Sequence, residues 1–488
     1  MKRLICILLT MIVFCPTIYA ADNEQIVQVD ENVLEAAEFF SETGIFSVGE
    51  NPDWSAPVTR AKAVHYLFEL CDLTKRVAID GAKSFYDVPE SHEDYDYIMA
   101  ARATNLVSGY VDNTFRPDSM DVHINGGTYS LGHRNPEVID ALIEATKSVD
   151  IGNHHFPSPL KAKLAETVIK ASPEGMKHVI YGSSGGEVID LAIKSARCAT
   201  NRLKIVCVNN CYHGHTGLAV AAGAPRYCDL FHAERPGEFI KVPFNDIEAM
   251  KKVFEENDDI AAVLLETIPA TYGFVMPQGD YLKQVKELCE KNGSLYIADE
   301  VQTGLMRSGK MWCIETYGVT PDIIVSSKGF SGGIYPISCV ILNEKASRWM
   351  KEDGSAHMAT FGGSELGCAC ALKVFEIIER EETKKNVEFV SKYLREGLEK
   401  IMADNPETFV GIRQNGLIMG LEFAGEQGAV YAMQHLYQNG VWAIYSQLDP
   451  SVLQFKPGVL VTKEYCDELL EKMAKGIAQA KEDILANA

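Results

Sequence analysis

From residue 121 to about 360, short apolar runs alternate with longer amphipathic ones. HVIYG (178–182), LKIVCV (203–208), AAVLLE (261–266), SLYIAD (294–299) and DIIVSS (322–327) read as strands. VIDLAIKSARCAT (188–200) and YLKQVKELCEKNG (281–293) read as helices between them. Strands that are apolar throughout, separated by helical crossovers, need a mostly parallel sheet covered on both faces. Ligands of such sheets bind at the carboxyl ends of the strands. The chain is long enough, at 488 residues with 47% hydrophobic, to bury a large core over two or three domains. Residues 365–488 read as a smaller α/β domain. It opens with a helix from Leu366 to Glu379, followed by a second helical stretch, strands near GLIMGLEF (416–423) and VLVT (459–462), and a terminal helix.

The net charge of −21 argues against general nucleic-acid binding. The first twenty residues carry Lys2 and Arg3, an apolar run from Leu4 to Phe14, and Ala20, so a secretory signal cleaved after Ala20 is expected. That run is too short to span a bilayer, and charges interrupt every other apolar run. The cysteines point the other way. Thirteen are present, two of them in the first twenty residues, with no CxxC pair. An odd remainder of this kind suggests reduced, buried thiols rather than a disulfide framework, and no metal site is expected.

Residues 31–120 hold about one and a half copies of a repeat. AAEFFSETGIFSVGENPDWSAPVTRAKAVHYLFEL (36–70) is one copy, and YDYIMAARATNLVSGYVDNTFRPDSM (95–120) is the second, shortened one. The words SFYDVPESHEDYDYI and GYVDNTFRPD resemble S-layer homology modules of bacterial envelope proteins. That resemblance implies non-covalent binding to a cell-wall polymer and a place in the envelope. The family commonly uses three repeats, and its usual TRAE word stands here as Thr59, Arg60, Ala61 and Lys62.

Three places in the α/β region carry chemistry. In YGSSGGEVIDLAIKSAR (181–197) a strand ends, a Ser/Gly turn follows and a helix begins with Glu187 in its first turn. Free N–H groups at such a start bind phosphate, although a plain strand-to-helix turn reads the same way. In LYIADEVQTG (295–304), Asp299 and Glu300 close an apolar strand. One of them can hydrogen-bond a protonated ring nitrogen; a helix-capping Asp is the ordinary alternative. In SSKGFSGG (326–333), Lys328 follows a strand and precedes glycines. A buried lysine loses its proton more easily and becomes nucleophilic, whereas a lysine beside glycines is more often a solvated loop residue.

A phosphate cup, a carboxylate for a ring nitrogen and a lysine for an aldehyde are together the handles of pyridoxal 5′-phosphate. Their order and wording resemble the class III pyridoxal-phosphate-dependent aminotransferases, of the acetylornithine and ornithine aminotransferase kind, over residues 123–485. The resemblance implies a fold-type I transferase, with a large domain over 121–364 and a small one over 365–488. It implies that Ser184, Gly185 and Gly186 hold the phosphate, although threonine is commoner at the last position. Tyr212 of YHGHT would stack on the cofactor ring, with His213 beside it and Glu266 also at the cofactor. Asp299 would meet the ring nitrogen, Gln302 the phenolic oxygen, and Lys328 would form the Schiff base and act as acid and base. Thr360 of HMATFGGSELGCA would reach the cofactor phosphate of a second copy, so a homodimer acting on a small-molecule amine is expected.

The sequence also departs from that family. Its EPxQGEGG word stands here as ETIPATYGF, which keeps Glu266 but puts Thr271 at the second Glu. Its late arginine, in a word like RFxPPLxI, is Gln454 of LQFKPGVLV, and His215 stands where some relatives carry an arginine. The joint loss of a carboxylate and an arginine that clamps carboxylates leaves open a lyase acting on a phosphonate- or phosphate-bearing amine. The match begins at HINGGTYSLGHRNPEV (123–138), so the large domain is expected to be N-terminally truncated behind the modules. The join PDSMDVHING lacks linker composition, as in a recombined frame or a fusion with a damaged enzyme. A wall-attached binding protein with an inert enzyme domain is the rival reading.

Overall fold

A computed structural model describes residues 95–96, 98–99, 120–153 and 156–487 of the chain. The expected signal at 1–20 lies outside the described residues, as does nearly all of the repeat at 31–120. The chain divides into two compact units, residues 1–120 and 121–488. Of the first, Tyr95, Asp96, Ile98 and Met99 are helical, with Ile98 and Met99 buried.

The second unit is built on a seven-stranded sheet. Its strands are β1 (Met176–Gly182), β2 (Lys204–Val208), β3 (Phe239–Val242), β4 (Ile260–Glu266), β5 (Leu295–Asp299), β6 (Ile323–Ser326) and β7 (Ser338–Asn343). Their order is β1-β7-β6-β5-β4-β2-β3. The pairs β3·β2, β2·β4, β4·β5 and β5·β6 are parallel, and β7 runs antiparallel between β6 and β1. Every residue of β4, β5 and β6 is buried. Successive residues face opposite sides of a sheet, so both faces are covered, as continuous apolar runs require. The helix α1 (Gly185–Thr200) shows how the covering is encoded: Val188, Leu191, Ala192 and Ser195 recur at helical spacing and are all buried.

Two strands of this sheet escaped the sequence reading. FIKV (β3) is a four-residue edge strand. SCVILN (β7) follows the lysine–glycine loop and closes a hairpin onto β6. The hairpin places Lys328 in the connection between two paired strands. The remainder forms an antiparallel sheet of β8 (Phe409–Asn415), β9 (Ile418–Phe423), β10 (Ile444–Ser446) and β11 (Asp449–Phe455), in the order β10-β11-β9-β8. VLVT, expected as a strand, is not one: Pro457 and Gly458 end β11 before it. Val459 is instead buried, and its N–H donates to the Ser130 carbonyl at 2.8 Å. The helices α2 (Glu365–Ile378), α3 (Glu381–Asp404) and α4 (Lys463–Gln479) belong to this part, with Gly428–Gln438 between β9 and β10 and Lys481–Ala486 after α4.

β1, β2, β4, β5 and β6 all point the same way, so their carboxyl ends share one edge. They deliver Ser184–Gly186, Tyr212–Thr216, Glu266, Asp299–Gln302 and Lys328 to it in turn. Register fixes the closest neighbours: Glu266 pairs with Asp299, and Asp299 with Val325, three residues before Lys328.

Candidate active site

A cavity of about 270 Å³ opens at that edge. It is lined by Ser184, Gly185, Gly186, Tyr212, His213, Glu266, Asp299, Gln302 and Lys328, among others. One wall is the start of α1. Ser184 is its N-cap, extended at φ −148°, and its hydroxyl accepts the Glu187 N–H at 3.4 Å. Glu187 turns backward, and its carboxylate accepts from both the N–H and the hydroxyl of Ser183. The first N–H groups of the helix have no acceptor within it, and Gly185 and Gly186, which carry two of them, line the cavity. The turn is closed by the YHGHT loop. Gly214 has φ +118°, and a Cβ there would sit 2.7 Å from the Gly186 Cα. A Cβ on Gly186 would meet the Thr216 hydroxyl at 2.7 Å. Thr216 thus occupies the space that a side chain at 186 would fill. It lines the cavity and makes no capping bond to its own helix.

The adjacent acids at the end of β5 part company. Glu300 is 1% exposed and accepts four hydrogen bonds, from Thr267, Thr303, Cys313 N–H and Ile314 N–H. It is structural, and burial pushes its carboxyl up to about 7. Asp299 faces the cavity. One of its oxygens accepts the Val301 N–H at 3.0 Å, and the other lies 2.8 Å from His213 Nδ1. His213 Nε2 is buried without a partner. Gln302 Oε1 is likewise buried without a partner. Glu266 receives the Tyr212 and Ala270 N–H groups, and burial followed by the Asp299 charge pushes it up to about 8.

Lys328 opens a short 3₁₀ turn at φ 49°, in the left-handed region that non-glycine residues seldom adopt. Burial pulls its ammonium below the ordinary lysine value; Asp299 and Glu266 push back, and Arg307 adds to the lowering. Lysine at a strained backbone position, partly desolvated and facing two carboxylates, is no longer a loop lysine.

Tyr212 and His215 stand edge-on to each other, with ring centres 5.3 Å apart, and Tyr227 lies 5.2 Å from Tyr212. Thr360 is exposed, in a bend, and is not among the residues that line this chain's own cavity. Thr271 and Gln454 are both buried, at 9% and 5% exposure. The cavity also takes in Thr216, Val301 and Thr303, which the sequence reading did not single out. All three sit inside words it had quoted. The ten described cysteines form no disulfide, in keeping with reduced thiols.

The family model for class III aminotransferases matches residues 109–477, and that for the S-layer homology domain matches residues 84–120. An uncharacterized aminotransferase of Archaeoglobus fulgidus is 46% identical over 355 residues, which cover 73% of this chain and 83% of that protein. A putrescine aminotransferase of Pectobacterium atrosepticum is 30% identical over 354 residues, 71% of this chain and 75% of its own. Among solved structures, N-acetylornithine aminotransferase from Stenotrophomonas maltophilia is similar at a TM-score of 0.64 and 26% identity, over 74% of this chain and 91% of that one.

Proposed function

The chain belongs to the class III aminotransferases, which use pyridoxal 5′-phosphate, and on that premise we propose that it moves the amino group of a primary amine or amino acid with Lys328 as covalent anchor and proton carrier. The observation that carries this is the cavity itself: nine of the residues assigned from sequence, drawn from five strand ends, line one space. The residues fit the cofactor. The start of α1 offers N–H groups to a phosphate, Gly186 and Gly214 leave the turn tight, and Gln302 Oε1 and His213 Nε2 are buried without partners. Ser184, Gly185 and Gly186 would hold the phosphate, with the Thr216 hydroxyl beside them. Tyr212 would supply an aromatic wall for the ring and Gln302 an amide near its phenolic oxygen.

When bound, the cofactor supplies an electron sink for the carbon that bears the substrate's amine. Asp299, oriented by His213 and the Val301 N–H, holds a proton at the ring nitrogen. Lys328 is the residue that would hold the cofactor, and its Nζ would take and return the proton of the amine-bearing carbon. Burial favours its neutral, basic form.

Thr360 serves the cavity of a second copy, so the working unit is a homodimer. The exposure of Met358 and Phe361 around it, each 58%, supports a covered surface. The S-layer homology match supports attachment to the cell envelope. A lyase acting on a phosphate- or phosphonate-bearing amine is the second reading, favoured by Gln454 and Thr271 in place of an arginine and a glutamate.

Purified protein should show the yellow absorbance of lysine-bound cofactor, and Lys328→Ala should lose it together with at least ~10³-fold of the amine-dependent rate. A colourless wild type that gains no band on added cofactor would overturn the assignment. Product formed from a phosphonate amine without any keto acid would select the lyase.

A further inference from the structure

Glycines and a run of left-handed backbone surround Lys328. Gly126 comes up against the lysine's side chain: a Cβ there would sit 3.1 Å from Lys328 Cε and 3.8 Å from Gln302 Oε1. Both of those residues line the cavity. The approach continues along the loop that follows the lysine. A Cβ on Gly329 would meet Ser130 Oγ at 2.8 Å and the Gly127 carbonyl oxygen at 3.3 Å, and one on Gly333 would meet the Tyr129 ring at 2.5 Å. Ser130 is fully buried, and its hydroxyl has no hydrogen-bond partner. Segments 126–130 and 328–333 therefore lie back to back, at a distance that only bare backbone allows.

The first of these segments is held in a costly shape. Ile124, Asn125, Gly126 and Gly127 have φ of 44°, 49°, 66° and 100° in succession. Isoleucine, branched at Cβ, is a true outlier in the left-handed region. Such strain persists only where the surroundings impose it, and it gathers at functional sites.

The bonds that impose it are present. Asp121 Oδ1 accepts the His123 and Ile124 N–H groups at 2.9 and 2.7 Å, and His123 Nδ1 accepts the Gly126 N–H at 3.4 Å. Burial, followed by the charge of Lys456, pushes His123 down to about 3, so it stays a neutral acceptor. The Gly127 carbonyl accepts from Arg307 Nη2. The fully buried Lys456 donates its backbone N–H to the Val122 carbonyl at 2.9 Å, and the Val459 N–H holds the Ser130 carbonyl. Bonds within the turn fix its shape, and bonds to Arg307, Lys456 and Val459 fix its place.

A lysine side chain is a flexible four-carbon stem, and its amine reaches one point reliably only if something confines the stem. Resting on the aminotransferase reading above, we infer that the left-handed turn 124–127 is the positioning element of Lys328, and that Gly126 is the residue whose bare backbone sets where Nζ stands in the cavity. Gly126 acts through the lysine. The strain at Ile124 and Asn125 is what brings its backbone that close.

Wild type and variants loaded with pyridoxal 5′-phosphate test this. Borohydride fixes to Lys328 only the cofactor that the lysine holds, and mass spectrometry of the lysine's peptide counts it against total bound cofactor. In Gly126→Ala that share should fall at least about threefold, because a misplacement of about 1 Å can cost far more than that. The cofactor still bound should then absorb as the free aldehyde. Gly132→Ala supplies the control. Gly132 also has a positive φ, +85°, but nothing lies within 4 Å of a Cβ there, so this variant bears the backbone strain without the contact. It should melt below wild type and keep the wild-type share. Gly126→Asn adds the Cβ in a residue that tolerates the left-handed region, and should repeat the result of Gly126→Ala. A wild-type share in either folded Gly126 variant, or an equal fall in Gly132→Ala, overturns the positioning role. So does loss of folding in both Gly126 variants, which would make the contact one of stability alone. A wild type with no lysine-bound cofactor overturns instead the enzyme reading on which the inference stands.

Discussion

Glu266 shows how far a single side chain departs from its sequence reading. It was legible as a kept acid at a strand end, but not as a carboxyl whose ordinary value near 4.5 is raised to about 8. In the folded, cofactor-free chain it keeps its proton across a window where the unfolded chain has lost it. The folded state then binds more protons, so this group's contribution to stability falls as pH rises from about 5 to about 8. Glu266→Gln removes the titration. Its melting temperature relative to wild type should climb by several degrees between those two pH values. A difference independent of pH would show that Glu266 titrates normally. Asp299 and Glu300 teach the same lesson about neighbours. Consecutive residues at a strand end face opposite ways, so sequence could nominate the pair but not choose the member.

At the level of elements, Glu300 ties four pieces together: the residue after β4, the turn after β5, and the two N–H groups that open the 3₁₀ helix Cys313–Tyr317. Glu300→Gln replaces one acceptor oxygen by a donor facing donors. It should cost about 2–4 kcal/mol of unfolding free energy, read by urea denaturation, with loss of cofactor affinity because Asp299 rides on the same turn. An effect under ~1 kcal/mol would show that the carboxylate is not the hub. In the large sheet the strands that sequence missed were β3, too short to show a pattern, and β7, hidden because a hairpin was not expected in a run of parallel crossovers; β8, β10 and β11 of the small sheet were missed as well. VLVT had the composition of a strand, but Pro457 and Gly458 left it outside the ladder.

For the whole molecule, sedimentation should give a particle of about twice 53.9 kDa, and mixing inactive Lys328→Ala chains with inactive Thr360→Ala chains should recover part of the rate. Recovery follows if each cavity takes its threonine from the other copy; a monomer of full activity would refute it. The chain's words alone determined the α/β class and the cofactor and nominated Lys328, because each rests on short-range order: strand, turn, residue. What only the tertiary structure decided is what those residues face. Strands far apart in sequence end side by side, and burial there sets which acid faces the cavity and which acid braces the turn. It also decides that Lys456, unremarkable in a string, lies in the core with no partner of opposite charge. Desolvation and charge pairing depend on distance through space, and sequence order does not record it.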